Sequence, residues 1–362
     1  MNILYITTIG NTMGFFTSMI EELLKAEHTV DVATNLNIGK LPDCYREWGC
    51  KVYPISCTRS PFNKGTIVAI KEIRKIVREG GYDIVHCHTP IAAMCTRLAC
   101  RKLRKNGLRV FYTAHGFHFY KGAPLKNWLL YYPVEWLCAH WTDTLITINP
   151  EDHAFAQKHL HAKRVEYVPG VGIDVDKFAK AVVDRAEKRR EIGVPEDAFL
   201  LMSVGELNEN KNHEVVLRAL AQAGNEKIHY AIAGQGPLQE YLMRIAKKLD
   251  ISEQVHLLGY RKDVPELYKA ADVYIHPSLR EGLPVALMEA LASGLPCILS
   301  RIRGNTDLAT EQDILCNVGN TDEFANAISR FYRELPLKRD TVRMHEFGFE
   351  VVNKRMHEIY DI

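Results

Sequence analysis

The chain has 362 residues, of which 47% are hydrophobic and 25% charged, and its net charge is +2. This length suits two domains, and the composition is that of a soluble globular protein. No stretch approaches about 18 uncharged apolar residues, which excludes a membrane span from the expected elements. Nine cysteines without a Cys-x-x-Cys pair indicate reduced cytoplasmic thiols, not a zinc site or a disulfide framework.

The first half reads as strands alternating with helices. The opening "MNILYITTIG" lacks a basic region and predicts a strand, not a signal peptide, followed by a glycine loop, "TIGNTMG". Helical spacing is present over residues 15–26, 67–79 and 92–105. The strands predicted between these segments are "HTVDVATN", "YDIVHCHT", "RVFYTAHG" and "TDTLITINP". Such alternation predicts a parallel sheet covered on both faces.

The stretch "RVEYVPGVGIDVDKF" interrupts this pattern with Pro169, Gly170 and Gly172 and predicts a domain junction. Strands and helices then alternate again, through "FLLMSVGELNENKN", "IHYAIAGQGPLQ", "VHLLGY", "DVYIHPS" and "PCILS". We therefore expect an α/β protein of two doubly wound Rossmann-like domains facing each other across a cleft. The predicted divisions are a first domain over 1–170, a second domain over 171–340, and a helical C-terminal segment over 341–362.

One carboxylate lies in an unusually apolar run. In "REGLPVALMEALASG" Gly282 indicates a tight loop, Pro284 the first turn of a helix and Gly294 its end. Glu289 then falls within a helix that is apolar almost all round and therefore buried. An unpaired buried carboxylate costs several kcal/mol, so Glu289 needs a partner. A ribose diol of a ligand and a nearby Lys or Arg both satisfy that need.

The start of the same helix is a candidate phosphate site. The backbone N–H groups of Gly282, Leu283 and Val285 lie at a positive helix terminus, which favours anions. Glu281 would repel a phosphate that it faced, so we expect it to face a sugar hydroxyl instead. A diphosphate at the helix start, a ribose at Glu289 and a sugar at Glu281 together describe a nucleotide sugar.

These motifs resemble those of glycosyltransferase family 4. Glu281 and Glu289, followed by "ALASGLP", resemble the E-x₇-E signature of that family. The resemblance extends over nearly the whole chain, through "PGVGIDVDKF", "VGEL", "AGQGP" and "ADVYIHPS". It implies the GT-B fold, with an acceptor-binding domain over 1–170, a nucleotide-sugar-binding domain over 171–340, and a C-terminal helix over 341–362 that crosses back to the first domain. It also implies transfer with retention of anomeric configuration. "VGELNENKNH" and "RGNTDL" look most like members that assemble capsular or exopolysaccharide repeat units.

The resemblance also implies roles for individual residues. The catalytic residues would be Glu281 near the reacting carbon, Lys211 on the diphosphate and His115 on the donor sugar. The donor-binding positions would be Glu289, Gly282, Leu283, Val285, Gly14, Gly205 and Arg261. Gly10 and His118 would lie on the acceptor side. The chain departs from the family at Glu206, where an Arg is usual, and Arg301 or Arg303 could supply the missing charge.

The resemblance implies a reaction without cofactor or metal, since Lys211 and helix N–H groups can stabilise the leaving diphosphate. Two patterns imitate metal sites. Asp174 and Asp176 form a "DVD" within the junction, which we interpret as structural. His86 and His88 share one face of a strand, but without a third ligand zinc is not expected.

Charge and aromatic residues suggest a membrane surface. Residues 84–134 contain no Asp or Glu and eight Lys or Arg, giving this stretch a charge of +8. Three of the four tryptophans follow directly in "NWLLYYPVEWLCAHW". Interfacial Trp and basic residues favour anionic leaflets, whereas a solvated basic face and a core helix are the alternatives. Nucleic acid is not an expected partner, because no known nucleic-acid module is present.

The predicted function is transfer of a hexosyl-type group from a nucleotide diphosphate sugar, with UDP the expected carrier, to a polyprenyl-diphosphate-linked saccharide. Such an enzyme would be cytoplasmic and peripheral on the inner face of the cell membrane. Two alternatives remain open: a nucleotide-sugar epimerase on the same fold, and a non-catalytic nucleotide-binding module. The sequence does not specify the donor sugar, the acceptor, the linkage or the oligomeric state.

Overall fold

The computed structural model describes residues 1–60, 63–335 and 341–362. Contacts divide these residues into two units, one formed by Met1–Gly172 with Phe349–Ile362 and the other by Ile173–Gly348. The sequence placed the divisions after residues 170 and 340. The second of these adjoins residues 336–340, which lie outside the described ranges. Val342–Phe347, assigned above to the crossing helix, groups with the second unit.

The first unit contains a seven-stranded parallel sheet in the order β3-β2-β1-β4-β5-β6-β7. Its central strands are rich in β-branched residues and are buried on both faces, as expected of a parallel sheet between helices. The strands are β1 Asn2–Ile9, β2 Thr29–Asn35, β3 Val52–Pro54, β4 Ile84–His88, β5 Arg109–Ala114, β6 Thr144–Thr147 and β7 Arg164–Tyr167.

Helices connect these strands as amphipathic segments. The predicted glycine loop is a 3₁₀ helix, Gly10–Phe16, so the first α-helix begins two residues later than expected. The short strands β3 and β7 were not predicted, because each has only three or four residues and lacks a clear apolar run. The helices are α1 Thr17–Lys25, α2 Cys44–Glu47, α3 Lys64–Gly80, α4 Pro90–Cys100, α5 Leu125–Ala139 and α6 Pro150–His159, with a 3₁₀ turn at Leu103–Asn106.

The second unit contains a six-stranded parallel sheet in the order β10-β9-β8-β11-β12-β13. Its strands are β8 Phe199–Val204, β9 Ile228–Ala233, β10 Val255–Gly259, β11 Val273–His276, β12 Cys297–Ser300 and β13 Ile314–Cys316. Both units are therefore doubly wound α/β domains, which confirms the predicted fold class.

The helices of the second unit cover this sheet. They are α7 Val175–Ala179, α8 Arg185–Glu191, α9 His213–Ala223, α10 Gln239–Lys248, α11 Val264–Ala270, α12 Val285–Ala292, α13 Asn305–Leu308 and α14 Thr321–Arg333. Short 3₁₀ turns lie at Glu209–Lys211, Ser252–Gln254 and Val342–Phe347. Across the described ranges, no helix combines the length and the apolar character needed to cross a bilayer.

The last helix, α15 Phe349–Tyr360, packs in the first unit. Gly348 separates it from the preceding 3₁₀ turn, so the single helix expected over the C-terminal segment is broken there. The Tyr360 hydroxyl lies 2.5 Å from the hydroxyl of Tyr5 and 2.5 Å from Nδ1 of His86. Asn353 donates from Nδ2 to Oγ of Ser18 at 3.0 Å. Buried polar contacts therefore fix α15 against the first sheet.

In each unit, the order of strands reverses beside the first strand. The reversal lies between β1 and β4 in the first unit and between β8 and β11 in the second. In open parallel sheets, ligands bind beyond the carboxyl ends of the strands at this switch point. The loops after β1, β4, β8 and β11 are therefore where site residues should lie.

Candidate active site

In the second unit, the loops flanking the switch point bring Lys211 and Glu281 together. Lys211 follows β8 and Glu281 follows β11, and Nζ of Lys211 donates to Oε1 of Glu281 at 2.7 Å. The two side chains are only 20% and 14% exposed, so water screens the pair weakly. These two residues, which the sequence predicted as separate contacts to diphosphate and sugar, are directly paired.

A histidine extends this pair. Nε2 of His276, the last residue of β11, lies 3.2 Å from the same oxygen of Glu281. Nδ1 of His276 lies 2.9 Å from the Tyr274 hydroxyl, which orients the ring. Burial alone would raise the pKa of Glu281, but Lys211 and His276 outweigh it and hold that pKa well below its usual value. Glu281 is therefore an anion, with both contacts made to Oε1.

The sequence analysis did not identify His276 as part of the site. The available signal was its position in "IHPSLRE", at the end of a strand and five residues before the signature carboxylate. Asn210 was also missed. Its backbone carbonyl accepts from the N–H of Leu279 at 2.8 Å, and its Nδ2 donates to the carbonyl of Arg280 at 3.0 Å. Asn210 thus ties the loop after β8 to the loop after β11.

The glycines of "AGQGP" pack closely against the loop after β8, which carries Lys211. A Cβ on Gly234 would lie 1.7 Å from the carbonyl oxygen of Gly205, and one on Gly236 would lie 2.4 Å from that of Leu207. A Cβ on Gly205 would approach Cε of Lys211 at 3.1 Å. These glycines permit the backbone approach that positions Lys211.

Glu206 occupies the position where the family usually has Arg. Its side chain is exposed, and Oε2 accepts from Nδ2 of Asn208 at 3.0 Å. Of the two proposed replacements, Arg301 donates from its guanidinium to the carbonyl of Leu315 at 3.1 Å. Arg303 carries a buried Nε in the loop after β12. A role for either cation at the diphosphate stays a prediction.

The loop residues 282–284 connect Glu281 to the first turn of α12. Among the described residues, no hydrogen bond uses the N–H of Gly282, Leu283 or Val285 as donor. A Cβ on Gly304 would lie 2.6 Å from the carbonyl of Gly282, so the loop after β12 packs against this turn. The expected donors for a phosphate are thus present beside Glu281.

Glu289 lies within α12, where the sequence placed it. Burial raises its pKa to about 7, against smaller opposing effects of Lys177 and the Tyr268 hydroxyl. The Tyr268 hydroxyl lies 3.5 Å from Oε2, but it donates at the shorter distance of 2.9 Å to the carbonyl of Ala286. The carboxylate therefore lacks a strong protein partner, and a ligand hydroxyl would fit it.

Arg261 is held in a different set of contacts. Its Nε donates to Oδ1 of Asp263 at 2.8 Å, and its guanidinium also pairs with Glu191. Lys188 contacts Oδ2 of Asp263 at 2.9 Å. The positive charge of Arg261 is thus balanced by two carboxylates, and a donor-binding role for it stays a prediction.

In the first unit, His115 follows β5 and its Nε2 lies 3.1 Å from Nδ1 of His88. Burial lowers the pKa of His115 to about 4, so its ring is neutral at pH 7. His118 stacks on Tyr131 of α5, with ring centroids 4.4 Å apart. His115 and His118 therefore have different surroundings.

The two glycines expected to face ligands differ as well. A Cβ on Gly10 would lie 2.6 Å from the carbonyl of Gly39, so packing of the protein itself requires this glycine. Gly14 is exposed, and the nearest atom to an added Cβ is Cγ of Pro42 at 3.9 Å. Of the two glycines, only Gly14 therefore leaves space for a ligand to approach the backbone.

The metal-like "DVD" pattern has structural partners. Oδ1 of Asp174 caps α7 by accepting from the N–H of Lys177 at 3.0 Å, and Asp176 pairs with Lys180 at 2.8 Å. Within the described residues, no three His, Cys, Asp or Glu side chains group as metal ligands.

The raised pKa of Glu289 generates a stability prediction. A folded-state pKa raised from 4.5 to about 7 contributes stability below pH 4.5 that is lost as pH rises through 7. The glutamine variant Glu289→Gln should therefore gain stability relative to the wild type between pH 4 and pH 8, by up to roughly 3 kcal/mol. Urea unfolding of both proteins at each pH measures this difference.

Glu214→Gln is the matched control. Its carboxylate bonds with Tyr241 and Arg218, which lower the Glu214 pKa although burial opposes them. This variant should lose stability relative to the wild type as pH rises through about 4.5. A stability difference for Glu289→Gln that is the same at both pH values would contradict the assignment.

Comparison with known protein families covers both units. Residues 15–177 match the family described as Glycosyltransferase Family 4, and residues 184–344 match Glycosyl transferases group 1. EpsD of Bacillus subtilis, named as a glycosyltransferase, is 38% identical over 295 residues, covering 79% of this chain and 77% of EpsD. An Escherichia coli protein is 31% identical over 301 residues, covering 80% of this chain and 76% of its own length. It is named UDP-Gal:alpha-D-GlcNAc-diphosphoundecaprenol alpha-1,3-galactosyltransferase.

A solved structure shows the same fold. The structure of Anabaena HepE in complex with UDP and glucose matches with a TM-score of 0.81 at 19% identity, covering 100% of this chain and 99% of that one. WaaG, described as a glycosyltransferase involved in lipopolysaccharide biosynthesis, matches with a TM-score of 0.73 over 99% of both chains at 19% identity. Sequence families, relatives and fold agree, and the chain belongs to the GT-B glycosyltransferases, with a family 4 first half and a group 1 second half.

Proposed function

We propose that this glycosyltransferase moves a sugar from a UDP-sugar to a saccharide carried on polyprenyl diphosphate, with retention of anomeric configuration. The observation that carries the proposal is the buried pair of Lys211 and Glu281 beside the first turn of α12. A cation, an anion and unused backbone donors lie within one loop cluster. These are the groups that a nucleotide diphosphate sugar requires for its phosphates and its hydroxyls.

In the proposed complex, the diphosphate binds the N–H groups at the start of α12 and the remaining donors of Lys211. Oε2 of Glu281, which makes no hydrogen bond to described residues, accepts from a hydroxyl of the donor sugar. Glu289 accepts from the ribose hydroxyls. Ionisation of Glu289 is then favoured by the ligand, because a hydroxyl that donates to the carboxylate stabilises its charged form.

The reaction breaks the bond between the anomeric carbon and the β-phosphate oxygen. The acceptor oxygen forms its bond to that carbon on the same face, and its proton passes to the departing phosphate. Negative charge grows on the leaving diphosphate, where Lys211 and the helix N–H groups already lie. No metal and no cofactor enter the proposed reaction.

A lipid-linked acceptor is supported by the relatives. The name of the Escherichia coli relative specifies a diphosphoundecaprenol acceptor and a UDP-galactose donor. We propose the same acceptor class here, in the assembly of capsular or exopolysaccharide repeat units. Because such an acceptor resides in a bilayer, the enzyme would work as a peripheral protein on the inner, cytoplasmic face of the cell membrane.

The surface of α5 supports this placement. Its inner face is anchored in the first unit by buried Glu135, which pairs with Arg97 at 2.8 Å. Its outer face exposes large apolar side chains. They are Leu125 (74% exposed), Leu129 (68%), Leu130 (53%), Trp136 (41%) and Leu137 (47%). Their spacing places all five within one helical face, called here the α5 apolar face.

Exposed positive charge lies near this face in the sequence. Five exposed basic residues of the acid-free stretch have no carboxylate partner among the described residues, and they are Arg101, Lys102, Lys105, Lys121 and Lys126. Each is worth about 1 kcal/mol near an anionic bilayer. Apolar side chains with flanking cations are the pattern of an interfacial helix.

The proposed chemistry predicts the effect of Glu281→Gln. This change keeps the shape of the side chain but removes the charge that faces the donor sugar. Transfer from UDP-glucose, UDP-galactose or UDP-N-acetylglucosamine, whichever the wild type uses, should fall on the order of 100-fold. The measurement is UDP release in the presence of a polyprenyl-diphosphate-linked saccharide, with NMR of the product to read its anomeric configuration.

Glu209→Gln is the matched control, because Glu209 is an exposed carboxylate on the same loop as Lys211. It should retain the wild-type rate. Full transfer activity in Glu281→Gln would overturn the site assignment. Conversion of the donor sugar in the absence of any acceptor would instead favour the epimerase.

Membrane binding is tested by Leu125→Ser combined with Leu129→Ser. Burial of each leucine in the bilayer interface is worth about 1.5 kcal/mol or more, so binding should fall on the order of 100-fold. Cosedimentation with phosphatidylglycerol–phosphatidylcholine vesicles measures the affinity. Added salt should also weaken the binding of the wild type.

The control here is Val182→Ser, since Val182 is 91% exposed and belongs to the second unit, not to α5. Its binding to vesicles should equal that of the wild type. Equal binding by the double leucine variant would exclude α5 as the membrane element, and a stable dimer that dissociates in that variant would assign the α5 apolar face to a second copy of the chain.

A further inference from the structure

Three histidines form a row at the carboxyl ends of β4 and β5. His86 and His88 belong to β4, and His115 follows β5. His88 is 2% exposed, and its ring lies between those of Phe16 and His86, with centroid distances of 4.0 and 4.2 Å. Of the three, only His115 has a role implied by the family resemblance, so the buried imidazole of His88 next to it calls for an explanation.

A single hydrogen bond joins two of these rings. Nδ1 of His88 and Nε2 of His115 are 3.1 Å apart. Burial lowers the pKa of His88 well below its usual value and that of His115 to about 4. Both rings are therefore neutral at pH 7, and each carries one proton on one of its two nitrogens. Only one of the two rings can donate to the other.

The other nitrogen of His88 identifies the donor. Nε2 of His88 is buried and has no hydrogen-bond partner among the described residues. If His115 donated, the proton of His88 would lie on this Nε2 as a buried N–H without an acceptor. If His88 donates, its Nε2 is unprotonated and carries a lone pair without a donor. Unpaired buried N–H groups are the rarer of the two, so donation from His88 is favoured.

The neighbouring ring of His86 offers Nε2 of His88 no acceptor. Both nitrogens of His86 are engaged, Nδ1 with the Tyr360 hydroxyl at 2.5 Å and Nε2 with Oγ1 of Thr113 at 2.7 Å. The cavity of about 40 Å³ beside the rings is lined mainly by apolar side chains, among them Met19 and Met356. The proton of His88 is thus best placed on Nδ1.

The position of the proton on His115 follows. Because its Nε2 accepts from His88, neutral His115 carries its proton on Nδ1. No described residue hydrogen-bonds this Nδ1, and the atom is not among the fully buried unpaired ones. An N–H donor is therefore open at the carboxyl end of β5, beside the switch point of the first unit.

We propose that His88 is a positioning residue that fixes His115 in the Nδ1-protonated tautomer, so that His115 donates a hydrogen bond to an oxygen of the sugar nucleotide. This role rests on the proposed function, because it assigns the ligand of His115. A neutral N–H can donate a hydrogen bond to the sugar nucleotide without adding charge to the site. The opposite tautomer would present a lone pair, which can only accept from a hydroxyl and repels an oxygen that carries no proton.

The test reads the tautomer directly. The full-length chain, labelled with ¹⁵N in its histidines, is studied by NMR at pH 7.5, and the signal of His115 is identified by its absence in His115→Gln. The wild type should show His115 protonated on Nδ1. His88→Leu removes the donor and should release the tautomer. His88→Asn places an amide N–H near the position of Nδ1 and should preserve it.

Kinetics supply the functional readout. In His88→Leu, kcat should fall on the order of 10-fold to 100-fold while the Kd for UDP is unchanged, and His88→Asn should recover most of the loss. Melting temperatures of the variants show whether they fold. A wild-type His115 protonated on Nε2 would overturn the proposal whatever the variants do.

The outcome is separable from that of the proposed function. If the wild type transfers no sugar to any lipid-linked acceptor, the proposed function fails, while the tautomer of His115 is still measured. If transfer is observed and His88→Leu keeps both the tautomer and kcat, the role of His88 fails alone.

Discussion

The ion pair between Lys211 and Glu281 is the interaction on which the site in the second unit depends. Each residue comes from one of the two loops at the switch point, so the pair forms only when β8 and β11 are adjacent in the sheet. Taking two charges out of water is costly unless further hydrogen bonds compensate, and His276 supplies one. The result is an anion held beside a cation, already in place before a ligand binds.

The glycine packing and Asn210 explain how that geometry is maintained. Gly234 admits the carbonyl of Gly205 where any side chain would collide, and Asn210 bonds the two loops to each other. Burial raises the pKa of both signature carboxyls, but their partners differ. Lys211 and His276 outweigh burial at Glu281 and keep its pKa low, whereas Glu289 has only a long contact and a pKa of about 7. Glu281 is thus suited to an electrostatic role. Glu289 is suited to lose its proton when the hydroxyls of a ligand bind to it.

Much of this was accessible from the sequence, for identifiable reasons. Alternating apolar runs gave the two doubly wound domains, because strands buried on both faces must be continuously apolar. Spacing gave the helix that bears Glu289. The contact of Lys211 with Glu281 could not be predicted, since it joins residues 70 positions apart through strand order. We expected Gly10 and Arg261 to contact ligands. In the structure Gly10 packs against the protein backbone and Arg261 forms ion pairs, and no pattern in a single sequence predicts these contacts.

The most direct test is a crystal structure of the protein with UDP bound. The account predicts the β-phosphate within hydrogen-bonding distance of Lys211 Nζ and of the N–H groups of Gly282 and Leu283, with the ribose on Glu289. It also predicts that Glu281 keeps Oε2 directed at the space where the sugar would lie. A diphosphate bound elsewhere, with Lys211 and Glu281 still closed on each other and Glu289 without a ribose contact, would contradict the account.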